Sequence, residues 1–198
     1  MTKKLGIFGG TFNPVHNMHL NMATQFLTQM NLDLCLFIPA YVSPFKTEKS
    51  ELMVSAEHRL NMLKIAVGID DKFKTDTFEI DKKDISYTID TINYLQAKYS
   101  DFELFMLIGS DQIKDFKEWK SWQEILNIVN LCVVKRPDTN INEISILTDR
   151  EKIIFIEMPE SEISSSRIRE MIFNDESISG FVPKQVEDYI SKHKLYGN

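Results

Sequence analysis

The chain has 198 residues, 43% of them hydrophobic and 26% charged, with a formal net charge of −6. That size and balance suit one α/β domain with a sizeable core and a small appendage; the acidic surplus argues against a broad nucleic-acid-binding face but leaves room for one nucleotide in a local basic pocket. No apolar run reaches eighteen residues, and "MTKKLGIFGG" lacks the apolar segment of a secretory signal, so neither a membrane span nor a leader is expected.

In chain order, short apolar runs predict strands at residues 4–8, 32–39, 74–80, 103–108, 131–135 and 152–157. Several are apolar throughout, as strands covered on both faces tend to be. Helical patterns fall between them at 18–30, 56–67, 89–99, 123–129 and 165–173, and a last helix at 184–192 follows Pro183, which suits a first turn. Such alternation predicts a doubly wound, mostly parallel sheet with helices on both faces, whose ligands bind beyond the carboxyl ends of the strands. Two longer loops are expected, at 40–55 and 136–151. Cys35 and Cys132 each sit inside an apolar run; they read as buried free thiols, which fits a reducing cytoplasm.

The end of the first strand carries "GIFGGTFNPVHNMHL", residues 6–20. Gly9 and Gly10 allow a sharp turn with bare backbone amides, and a helix starting near Met18 adds free N–H groups and a positive dipole end. His16 and His19, three apart, project from one side of that helix. Taken alone, the stretch is equally a structural turn with incidental histidines. Zinc is not supported, because only His58 and His193 remain as further histidines. Near the other end, "EISSSRIREMI" offers Ser164 as a helix cap, with Ser165, Ser166, Arg167 and Arg169 in the following turns. By itself this is either a phosphate cradle or a capped surface helix with solvated arginines.

"GGTFNPVHNMH" resembles the G-G-x-F-x-P-x-H-x-G-H motif of the nucleotidyltransferase superfamily with an H-x-G-H element, departing from it at Met18, where glycine is usual. Residues 163–169 resemble that superfamily's I-S-S-T-x-I-R element, with Ser166 in place of threonine. Several intervening stretches are similar to bacterial nicotinate mononucleotide adenylyltransferases: "PAYVSPFK", "HRLNMLKIAV", "DISYTIDTI", "LIGSD", "FKEWKSW", "VVKRPD" and "FVPKQVEDYISKHKLY". The resemblance implies a Rossmann-like nucleotidylyltransferase fold in one domain, residues 1–198, with a small helical part from about 163 to 198. It implies adenylyl transfer from ATP to nicotinate mononucleotide, giving deamido-NAD and pyrophosphate. Mg²⁺ would be bound mainly through phosphate oxygens and water.

The same resemblance implies the site residues. Gly9, Gly10, Thr11, Phe12, His16, His19, Gly109, Asp111, Arg136, Ser165, Ser166 and Arg169 would bind ATP. Lys46, Tyr87, Thr88, Asp111 and Trp119 would bind the mononucleotide, with Trp119 stacked on the pyridine. His16, His19, Lys46 and Arg169 would act in catalysis. Plainer roles stand beside these: Asp111 and Thr88 as helix caps, Lys46 as a loop cation, the "HRLNMLKIAV" helix and Trp122 as packing. The alternatives in function are an adenylyltransferase for nicotinamide mononucleotide or phosphopantetheine, and a nucleotide sensor without turnover. The expected partners are the two small substrates, with no nucleic acid and no membrane. A homo-oligomer is left open.

Overall fold

A computed structural model describes residues 2–44, 53–134, 153–158 and 163–197. Among these, six strands form one sheet: β1 (Lys3–Gly10), β2 (Leu34–Pro39), β3 (Phe73–Thr75), β4 (Phe102–Gly109), β5 (Asn130–Val134) and β6 (Ile153–Ile156). The order is β3-β2-β1-β4-β5-β6, and every pairing is parallel. Leu5 of β1 registers with Leu34 on one side and Leu104 on the other, which makes β1 the central strand.

Alternating side chains divide the apolar strands between two layers. Leu5, Ile7, Leu36, Ile38, Leu104, Met106 and Ile108 face α4 (Thr88–Lys98) and α6 (Trp122–Ile128), which contribute Ile92 and Ile125. Phe8, Phe37, Phe105 and Leu107 face the opposite layer, built from α1 (Asn17–Met30), α2 (Ala56–Val67), α7 (Ser165–Phe173) and α8 (Lys184–Lys192). Those helices supply Phe26, Leu63, Ile168 and Val186, so residues 163–197 share the core of the sheet. The continuous apolar runs in the sequence are thus the signature of a sheet with both faces covered.

Between β3 and β4 the chain crosses from one side of β1 to the other, through α3 (Phe78–Lys82) and α4. This reversal separates the loops that follow β1 and β4, and it is at such a point that doubly wound sheets bind ligands.

The strand expected at 74–80 is overturned. β3 is only three residues long, and Phe78–Lys82 is helical. The cause is Asp76, whose carboxylate accepts the Phe78 N–H at 3.0 Å, an Asx turn that diverts the chain from the strand. Its other oxygen holds Lys98 at 2.8 Å, and the Thr77 hydroxyl donates to Asp81 at 2.6 Å to close one helical turn. Two short elements were not expected: α5 (Ser110–Ile113) and a 3₁₀ turn at Phe116–Glu118. The cap of α4 is Tyr87 rather than Thr88, and Gly109 rather than Asp111 precedes α5. Ser164 does cap α7, accepting the Arg167 N–H at 3.2 Å. Of the two expected loops, residues 45–52 and 136–151 lie outside the described residues.

Candidate active site

The turn between β1 and α1 has its carbonyl oxygens occupied from behind. Gly10 accepts from the Ala40 N–H at 2.9 Å, and Thr11 from Arg59 Nη1 at 2.8 Å. Asn13 accepts from Arg169 Nη1 at 2.8 Å, and Pro14 from the Ser165 hydroxyl at 2.9 Å. In a trans peptide the next N–H points away from the carbonyl. The Thr11 and Phe12 amides are therefore turned to the opposite side, and a run of amides so directed favours an anion. Glycine is needed at position 10 because an added Cβ would come within 2.9 Å of the Phe12 ring, whereas one at Gly9 would meet nothing within 4 Å. Gly9 therefore leaves its backbone open to a ligand.

Phe12, expected to touch ATP, has its ring in the core, 2% exposed. The ring lies edge-on to Phe8 at 5.6 Å and to His19 at 5.0 Å, forming a floor beneath the histidine. His16 caps α1, and its backbone N–H donates to His19 Nδ1 at 3.2 Å. That bond leaves Nε2 as the nitrogen carrying the proton of a neutral His19. The two rings stack with centroids 3.6 Å apart, and buried His16 Nδ1 has no hydrogen-bond partner among the described residues.

Burial pushes His16 from the ordinary 6.5 to about 4. It pushes His19 well below the ordinary value, with the closeness of His16 adding to the effect. Both imidazoles are neutral at pH 7 and present N–H donors rather than charges. A depressed folded-state pKa means that the unfolded chain takes up the proton first as pH falls. His16 therefore supports stability fully above about pH 6.5, and that support is lost progressively down to about pH 4. Thermal melts of His16→Gln between pH 7 and 4.5 should show a shallower decline than wild type; an identical slope would refute this.

The two motifs, far apart in sequence, meet on this turn. Ser165 and Arg169 of α7 bond the Pro14 and Asn13 carbonyls, and Arg169 Nη2 also reaches the Ser166 hydroxyl at 3.3 Å. Asn13 is held further by its side-chain oxygen, which accepts from the Tyr196 hydroxyl at 2.8 Å and the Val54 N–H at 3.4 Å.

Arg59 of α2, read from sequence as packing, is an organising residue of the site. It is 1% exposed. Nη1 donates to Thr11 and Ala40 carbonyls at 2.8 and 2.7 Å, and Nη2 to the Tyr41 carbonyl at 3.1 Å. One guanidinium thus ties the loops after β1 and β2 together. Burial lowers its pKa from the ordinary value, opposed by Tyr196.

In front of the turn a cavity of about 220 Å³ lies at the carboxyl ends of β1, β2 and β4, bordered by Gly9, Gly10, Thr11, Glu79, Thr88 and Trp119. Glu79 was also not foreseen: burial raises its carboxyl pKa, against hydrogen bonds from Thr91, at 2.6 Å, and Ser86. A second cavity of about 260 Å³ adjoins it, bordered by Pro44, Tyr87, Thr88, Glu118, Trp119 and Lys120. Pro44, Thr88 and Trp119 border both, so the half-buried Trp119 indole stands between two compartments at the start of α4.

The expected site residues therefore fall into two groups. Gly9, Gly10, Thr11, Tyr87, Thr88 and Trp119 border the cavities; His16, His19, Ser165, Ser166 and Arg169 converge on the turn without bordering either one. Gly109 ends β4, its N–H donating to Gln112 at 3.0 Å, and Asp111 is exposed just beyond it. Lys46 and Arg136 lie outside the described residues. Met18, where the motif has glycine, is half-buried in the first turn of α1.

The family model described as cytidylyltransferase-like matches residues 7–171. A Bacillus subtilis (strain 168) protein named nicotinate-nucleotide adenylyltransferase is 36% identical over 194 residues, covering 98% of each chain. A Clostridium acetobutylicum protein named probable nicotinate-nucleotide adenylyltransferase is 36% identical over 202 residues, covering 98% of this chain and 99% of its own. Among solved structures, Plasmodium falciparum nicotinic acid mononucleotide adenylyltransferase complexed with NaAD superposes with a TM-score of 0.79, over 98% of this chain and 97% of the other. At 22% identity that likeness speaks to the fold.

Proposed function

Because the chain belongs to the nicotinate-nucleotide adenylyltransferase family, within the cytidylyltransferase-like group, we infer that it transfers the adenylyl group of ATP to nicotinate mononucleotide. It is a nucleotidyltransferase, and its products are nicotinate adenine dinucleotide and pyrophosphate. The observation that carries the reading is the junction of the two motifs, Ser165 and Arg169 on the carbonyls of Pro14 and Asn13. It makes the histidine turn and the serine–arginine helix one continuous surface for a triphosphate.

The nucleophile is a phosphate oxygen of the mononucleotide, already ionised, so no general base is needed. It attacks the α-phosphorus of ATP; the bond to the bridging oxygen breaks and the pyrophosphate leaves with that electron pair. Catalysis is then positioning and charge neutralisation. The His16 and His19 N–H groups and the amides after Gly9 hold the α-phosphate in line. The Ser166 hydroxyl, the start of α7 and the Arg169 guanidinium face the departing pyrophosphate. By the resemblance alone, Lys46 would bridge donor and acceptor phosphates and Arg136 would serve the nucleotide, with Asp111 beside the ribose hydroxyls; Trp119, Tyr87 and Thr88 seat the pyridine. The turn offers N–H donors, which hold phosphate and not a cation, and no group of three or more His, Cys, Asp or Glu gathers among the described residues. That donor set fits Mg²⁺ held on phosphate oxygens and water, where it would neutralise charge on the triphosphate. The two buried thiols suit a reducing cytoplasm.

Mixing the protein with Mg²⁺–ATP and either nicotinate or nicotinamide mononucleotide, and measuring pyrophosphate, tests the reading. Release with the nicotinate form supports it, and binding without release overturns it. Within the same assay, Trp119→Ala should raise the KM for the mononucleotide about tenfold or more, the order expected for one lost stacking contact, with little change in the KM for ATP. An unchanged KM for the mononucleotide would return Trp119 to a packing role.

A further inference from the structure

The second cavity has a chemistry of its own. One side is Trp119, a flat apolar face; another is the start of α4, where Thr88 opens an eleven-residue helix behind its cap Tyr87. Two charged side chains stand on its border, Lys120 and Glu118. The Lys120 ammonium lies 4.5 Å from the centre of the Tyr87 ring, a cation–π placement that ties the exposed side chain to another residue of the cavity's border.

Charges on the neighbouring helix decide what that ammonium can do. Asp90, in the first turn of α4, is its nearest acid at 3.7 Å. Asp90 is already committed elsewhere, since Lys82 sits on its other oxygen at 2.6 Å and that hydrogen bond is the main cause of its lowered pKa. The Asp90 charge is therefore largely answered by Lys82, and Lys120, with its side chain 53% exposed, is only loosely paired. A flat ring entering beside Trp119 with an anionic substituent would find this cation and the helix start on the same side. The uncharged carboxamide of the corresponding ring would gain less from a cation.

We propose that the Lys120 side chain is a specificity-determining residue that selects a carboxylated pyridine nucleotide over its carboxamide. The proposal rests on the reading of this protein as a mononucleotide adenylyltransferase and deepens it. Glu118, on the same border, opposes Lys120 and limits the size of the preference. A partly exposed lysine facing a carboxylate has a modest expected effect, about a tenfold preference.

The test is a charge series at one position: Lys120→Arg, Lys120→Met and Lys120→Glu. Affinities for nicotinate and nicotinamide mononucleotides are measured by calorimetry, with pyrophosphate release followed in parallel. Wild type and Lys120→Arg should prefer the nicotinate form. In Lys120→Met that preference should fall about tenfold, and in Lys120→Glu it should fall further. The wild-type preference should also shrink with added salt, more than in Lys120→Met, because a solvent-accessible charge pair is screened. A packing role would move both affinities together and leave the salt response alone. Equal preference across the series, or wild type binding both forms equally, overturns the proposal. Absence of pyrophosphate release from wild type with either mononucleotide would instead defeat the underlying functional reading.

Discussion

Replacing His19 by Gln should lower kcat by about 10²–10³-fold, the usual consequence of losing one aligned donor to a developing oxyanion. His19 Nδ1 is engaged with the His16 N–H, so Nε2 alone can donate outward, and burial keeps the ring neutral. Phe12 and Phe8 fix the ring plane, with centroids 5.0 and 6.0 Å away. Glutamine at the third helical position can still reach back to the N-cap amide. The substitution therefore separates catalysis from capping: melting temperature should change little, and the KM for nicotinate mononucleotide should change far less than kcat. His19→Ala should lose the activity and also about 1 kcal/mol of stability, through the lost cap. Turnover near wild type in both variants would remove His19 from the reaction.

Arg59→Met carries the second large expectation. The substitution leaves the Thr11, Ala40 and Tyr41 carbonyls without their donor, in a place where Arg59 is 1% exposed. Each buried carbonyl stranded in this way costs about 1–3 kcal/mol. Against that stands the relief of a desolvated charge, since no carboxylate forms an ion pair with Arg59 among the described residues. The balance is an expected loss of about 3–5 kcal/mol in urea unfolding. The activity loss should be greater than stability alone predicts, because the loops after β1 and β2 both lose their anchor and aligned groups tolerate little displacement. Arg59→Lys retains the charge but not the fork that spans three oxygens, and should fall between. A methionine variant with normal turnover and a normal urea midpoint would show that the guanidinium organises nothing.

These two residues mark how far the sequence could be read. The histidine turn was legible through its resemblance to a known motif and its pairing with residues 163–169; alone it read equally as a structural turn. The helices at 56–67, 165–173 and 184–192 were legible to the residue, the last two because Ser164 and Pro183 mark their starts. The role of Arg59 was not, because its helix read only as packing, and its partners are backbone carbonyls of loops 18 to 48 residues away, which leave no mark in residue identity. Glu79 was hidden inside a segment read as strand, where Asp76 overrode the local alternation. Phe12 divides its roles in a way the motif does not show: its amide belongs to the anion side of the turn, while its buried ring is the support beneath His19. The charge balance around Lys120 also escaped, since it depends on Asp90 preferring Lys82.

The fastening of Asn13 sets an order of events in the life of the chain. The turn is synthesised first, yet three of the groups that hold it, Ser165, Arg169 and Tyr196, emerge only after all six strands. A ribosome-bound chain can pair its sheet and bury much of its core while the phosphate grip is still unbraced. Competence to bind nucleotide should therefore appear late during synthesis, together with the docking of residues 163–197 that completes one layer of the core.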